Sequence, residues 1–89
     1  MAWNLALSPR AQQQLAKLDK AAARRIVKFL YERVGRRNNP RQLGEPLQGA
    51  LIGLWRYRVG DYRIICTLEH DRLVVLVLRI GHRREVYKR

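Results

Sequence analysis

Apolar and polar positions alternate at the start of the chain. Trp3, Leu5 and Leu7 are separated by Asn4 and Ala6, and a period of two predicts a short strand. The period then lengthens. Ser8-Pro9 supplies a capping hydroxyl followed by proline at the first helical position, and Ala11, Leu15 and Leu18 fall on one helical face. Asp19 is a second cap, after which Ala23, Ile26, Val27, Leu30 and Val34 keep helical spacing up to a stop at Gly35. These segments predict two helices, the second longer, forming an αα-hairpin with one apolar side. Residues 36–53 hold clusters of Asn, Pro and Gly without a sustained period and are predicted to form a surface loop. Three strands follow at Leu54–Val59, Tyr62–Leu68 and Leu73–Ile80, joined by turns at Gly60-Asp61 and Glu69–Arg72. The aliphatic run LVVLVL in the last one predicts an interior strand covered on both faces.

The predicted fold class is α+β: an N-terminal strand, an αα-hairpin, then a three-stranded antiparallel meander. The first strand joins the meander in one twisted sheet with the helices on one face. A chain of 89 residues buries roughly 60–65% of its unfolded surface, which leaves room for one domain, residues 1–89.

Charge changes this picture. There are 19 Lys and Arg against 7 Asp and Glu, a net charge of +12, and 15 of the basic residues are Arg. A small domain so charged repels itself and points to an anionic partner. Arg forks onto phosphate oxygens and stacks on bases, which favours RNA or phosphate over an acidic protein or a membrane. Cys66 is the only cysteine, so no intrachain disulfide or cysteine metal site is expected. The start of the chain lacks a basic n-region and apolar core, and no run approaches 18 apolar residues. A cytoplasmic protein with no membrane partner is therefore expected. The seven acids (Asp19, Glu32, Glu45, Asp61, Glu69, Asp71, Glu85) show no metal-binding cluster, so no metal or other cofactor is expected.

The hairpin LWRYRVGDYRIIC, Leu54 to Cys66, carries the candidate chemistry. Alternation places Trp55, Tyr57 and Val59 on one face and Arg56 and Arg58 on the other, with the face of Arg63 depending on register. Like charges opposite each other destabilise a sheet, and no acid in these strands is placed to pair with them. The cluster therefore suggests an external anion. The C-terminal IGHRREVYKR adds His82, Arg83, Arg84 and Tyr87: an imidazole, two phosphate clamps and a phenol.

The hairpin from Gly53, the aliphatic strand, the Leu47-Gln48-Gly49 loop and the C-terminal GHRREVY together resemble the RelE branch of the RelE/ParE toxin superfamily over nearly the whole chain. The resemblance implies a small RelE-like α+β fold and the toxin of a type II toxin-antitoxin system. It implies a metal-independent endoribonuclease that cleaves mRNA in the ribosomal A site. The partners it implies are an acidic RelB-like antitoxin, the ribosome and mRNA, with operator DNA reached only through the antitoxin complex. By position, Arg56 and Arg58 would hold the substrate backbone and stabilise charge, Arg63 would brace the scissile phosphate, and Arg83 would act as general acid toward the leaving 5′-oxygen. Tyr87 would stack on or activate the substrate near its 2′-hydroxyl, while His82 and Arg84 would join substrate binding. Well-known members carry Lys where Arg56 and Arg58 stand. Arg keeps its proton, so the expected base is Tyr87. The alternative is a ParE-like inhibitor of DNA gyrase on the same scaffold, a branch that generally lacks the Arg83–Tyr87 pair. A plain RNA-binding module fits less well, with few aromatics for stacking.

Overall fold

A computed structural model describes residues 3–86. The chain runs β1 (Asn4–Leu7), α1 (Pro9–Lys17) and α2 (Lys20–Phe29), with α2 widening into a π-helical stretch at Leu30–Val34. After short 3₁₀ turns at Pro40–Gln42 and Gly49–Leu51, and a two-residue β2 (Glu45–Pro46) between them, come β3 (Trp55–Val59), β4 (Tyr62–Glu69) and β5 (Val74–His82). The sheet order is β1-β5-β4-β3-β2. The meander is antiparallel, and β1 pairs with β5 in parallel.

Both helix starts form as their residues dictate. Ser8 Oγ accepts from the Ala11 N–H at 3.1 Å and Asp19 Oδ1 from the Ala22 N–H at 2.7 Å. Gly35 ends the helical run for a different reason from the one its position suggests. It does not take the left-handed conformation. Its carbonyl accepts from the Trp3 N–H at 2.7 Å, and a Cβ there would stand 3.3 Å from Leu5 Cδ1. Glycine is used for the close approach of β1.

Ile26, Leu30 and Val34 pack with Tyr57, Ile64, Val75, Val77 and Ile80 in the main core. These sheet residues share one face, and the helices lie against it. The expected loop at 36–53 is instead shaped by three aromatic donors. Trp3 Nε1 donates to the Asn38 carbonyl (3.0 Å), the Tyr57 hydroxyl to Pro40 (2.7 Å) and Trp55 Nε1 to Leu43 (2.8 Å). Thus held, the segment adds β2 to the sheet beside β3. The interior position of β5 is as expected, but only one of its faces is fully covered: Val75, Val77 and Ile80 are buried, whereas Val74, Leu76 and Leu78 are half-buried.

Burial pushes the Tyr57 phenol well above its ordinary value, with Cys66 adding to the shift and Arg41 opposing it; burial alone does the same to the Cys66 thiol. Both groups thus stay neutral in the fold. Their folded values exceed their unfolded ones, so the stability they give is full below the unfolded values and is lost above them. Unfolded Cys and Tyr titrate near about 8.5 and about 10. Urea midpoints should therefore fall steadily as pH rises from about 9 to 11, and Cys66→Ala should flatten the first part of that fall. A midpoint that stays level across this range would contradict the burial of these groups.

Candidate functional site

Cross-strand register sorts the arginines into rows. Glu45, Arg56, Ile65 and Arg79 stand opposite one another across β2, β3, β4 and β5, and Arg58, Arg63 and Gly81 form the next row. Both rows lie on the face away from the helices. The sheet tolerates this because the intervening rungs work on the other face. An unfavourable Arg58–Arg63 pair costs less than about 1 kcal/mol. Burial of Tyr57 and of Ile64 contributes roughly 1.5–3 kcal/mol each.

The cluster has one internal acid. Arg56 forms an ion pair with Glu45 across the β2–β3 rung, which corrects the expectation of a face without a carboxylate. Gly44 makes the rung accessible. Its φ is +78°, and a Cβ would overlap the Arg56 carbonyl oxygen, so only glycine lets the chain lie this close to β3. Where β2 stops, a groove of about 350 Å³ opens beside β3, lined by Arg33, Gly44, Glu45, Arg56 and Arg58 among others.

Arg63 is half-buried and turned back on its own hairpin, with Nη1 donating to the carbonyls of Gly60 and Tyr62, both at 3.0 Å. Arg58, Arg83 and Arg84 are exposed. Arg83 is held through its backbone, its N–H donating to the Asp61 carbonyl at 2.8 Å. The turn after β5 bends over the arginine face, where Val86 packs with Leu47 and Ile65 in a second small core. That face is therefore partly roofed, with Arg56 and Arg79 on either side of Ile65.

A bulge decides which β5 residues reach this face. Ile65 pairs with Arg79 but Cys66 pairs with Val77, so Leu78 is an extra residue. Simple alternation from Val75 and Val77 would send Arg79 into the helix side. The bulge reverses it and brings Arg79 beside Arg56, with Arg79 Nη1 reaching the Val86 carbonyl at 3.5 Å. Nothing in LVVLVLRIGH marks the bulge, so no local pattern places Arg79 at this face. The same reversal sends His82 to the helix side, edge to face with Tyr62 at a centroid distance of 6.2 Å. The structure thus brings together Arg56, Arg58 and Arg63 with Glu45 and Arg79, places Arg83 and Arg84 on the adjoining turn, and sets His82 apart. Tyr87 lies outside the described residues. Among the described residues, no group of three or more His, Cys, Asp and Glu could hold a metal ion.

The described residues thus form a five-stranded sheet backed by a helical hairpin, with a cationic face into which the Glu45 carboxylate is set. Residues 5–87 match the family described as the ParE toxin of type II toxin-antitoxin systems, parDE, and the chain belongs to that family, within the RelE/ParE superfamily. Among its relatives are two toxins of Mycobacterium tuberculosis. Toxin RelG is 28% identical over 89 residues, the whole of both chains. Toxin RelE is 30% identical over 86 residues, 97% of this chain and 87% of the relative. In the crystal structure of the RelBE2 toxin-antitoxin complex from the same organism, a chain superposes with a TM-score of 0.85 at 26% identity, covering 96% of this chain and 95% of that one. The protein is a type II toxin of the RelE family.

Proposed function

We propose that this toxin is a ribosome-dependent endoribonuclease that cuts mRNA in the A site. The observation that carries the reading is the pair of arginine rows with Glu45 set into their edge. In the proposed reaction the substrate's own 2′-oxygen attacks the adjacent phosphorus, and the P–O5′ bond breaks. The 2′-proton passes to a base, and the departing 5′-oxygen takes up a proton from solvent water beside Arg83, whose guanidinium stabilises the charge as it leaves. The products are a 2′,3′-cyclic phosphate and a 5′-hydroxyl. Arg56, Arg58 and Arg63 hold the phosphate, and fixed cations stabilise the dianion as it develops. Arginines cannot take the proton, and the Tyr57 phenol is buried and donates to Pro40. Glu45 is the carboxylate that ion pairing brings to the rows, and the role of proton acceptor falls to it. Arg79 joins the phosphate-binding set, Arg84 adds charge on the turn, and Tyr87 is left to stack on a base. His82, on the far side of the strand, takes no part in the step.

The protein acts in the cytoplasm, where ribosomes are. No described helix is long and apolar enough to cross a membrane. An acidic antitoxin covers the arginine face, and operator DNA is reached only through that complex. The RelBE2 toxin-antitoxin complex of M. tuberculosis supports a partner of this kind. Arg58 is exposed on the outer edge of the site. Arg58→Ala should therefore weaken RNA binding and reduce the slope of log affinity against log salt by about 1. A slope identical to the parent's would remove Arg58 from the phosphate contacts.

The test uses translating ribosomes stalled at a defined codon. Adding the protein should give fragments ending within the A-site codon, while the same RNA without ribosomes stays intact. Intact mRNA on the ribosome together with loss of gyrase supercoiling would establish the gyrase-inhibitor alternative instead.

A further inference from the structure

The far end of β5 is supported in an unusual way. β1 pairs with β5 only as far as Leu7 opposite Val77, yet β5 continues to His82. Beyond Val77 its outer edge has no strand beside it. Helix α1 and its cap take over. The Ser8 N–H donates to the Val77 carbonyl at 2.8 Å, Ser8 Oγ donates to the Leu78 carbonyl at 2.9 Å, and Gln14 Oε1 accepts from the Ile80 N–H at 2.7 Å. Ser8 is accounted for by its capping of α1. Gln14 is not: its side-chain amide closes on a strand 66 residues away.

Ile80 stands three residues before Arg83 and is buried. From there the strand passes Gly81, on which Val86 packs, and enters the turn. The Arg83 N–H is tied to Asp61 on the β3–β4 hairpin. The segment bearing Arg83 is thus fastened on one side by the hairpin and on the other by Gln14, with the bulge at Leu78 just upstream. A buried N–H without an acceptor is costly, so without Gln14 the strand end would shift to find one.

We infer that Gln14 is a positioning residue: by accepting from the Ile80 N–H it fixes the end of β5 and so aims Arg83 at the leaving oxygen. This rests on the proposed nuclease reading. Gln14→Leu keeps the bulk and removes the acceptor, whereas Gln14→Glu keeps an oxygen at the same reach. Single-turnover cleavage by Gln14→Leu should fall about 10- to 100-fold, the scale of a small misplacement, with RNA affinity unchanged. Gln14→Glu should cut at nearly the parental rate. Adding Gln14→Leu to Arg83→Ala should cost little more than Arg83→Ala alone, because the two act through one group. In the folded protein, amide exchange at Ile80 should speed at least tenfold in Gln14→Leu while Val75 and Val77 stay protected.

Parental cleavage by Gln14→Leu, while Arg83→Ala is slow, would overturn the role of Gln14 and leave the nuclease reading standing. So would equal losses in the leucine and glutamate variants, or additive losses in the double mutant. If neither the parent nor any variant cuts RNA, the nuclease reading fails, and with it the aim assigned to Gln14; the Ile80 exchange result would then report only the brace.

Discussion

Arg63→Ala should abolish growth arrest while leaving the fold intact. Arg63 sits in the centre of its row, between Arg58 and Gly81, and its described hydrogen bonds go to two carbonyls of its own hairpin. In the proposed reaction Arg63 swings from these carbonyls to the phosphate, so removing it takes away a charge-assisted donor and leaves the two packed cores untouched. Loss of one such donor costs about 10²–10³-fold in the chemical step. Arg63→Lys restores charge without the fork and should recover only part of the rate. The check is single-turnover cleavage on ribosomes beside circular dichroism. A folded Arg63→Ala protein that still cuts at the parental rate would make Arg63 an ordinary solvated strand residue.

Glu45→Gln should do as much damage by another route. The substitution keeps the size of the side chain and removes its capacity to take a proton. General-base loss is worth about 10²–10⁴-fold. It also dissolves the ion pair with Arg56, so affinity for RNA should hold or rise as the rate collapses. That split between binding and rate separates a base from a structural brace. Tyr87→Phe should be close to the parent, whereas Tyr87→Ala should be harmful through lost stacking. The reverse pattern, a tolerant Glu45→Gln and a crippled Tyr87→Phe, would return the proton-accepting role to Tyr87.

Much of this was legible in the chain because local chemistry and global fold agree. Ser8 and Asp19 mark helix starts that form where they stand, and the alternation of Trp55 to Val59 separates core from arginines as expected. The rest turned on non-local features. Glu45 lies in a stretch without periodicity, and its meeting with Arg56 depends on Gly44 and on aromatic donors from Trp3, just before β1, and from β3 that no local pattern reveals. One extra residue at Leu78 inverts the strand, so Arg79 arrives at the site and His82 leaves it. Gln14 reads as a surface helix residue until β5 is placed beside it.

In the proposed reaction this toxin breaks RNA by using the substrate's own 2′-hydroxyl. The most direct measurement is cleavage of a ribosome-bound mRNA carrying a single 2′-deoxy nucleotide at the mapped cut, compared with the all-ribose message. The expected result is a 2′,3′-cyclic phosphate end on the ribose message and no cut at the deoxy position. Equal cleavage of both messages, or a 3′-hydroxyl end, would contradict it.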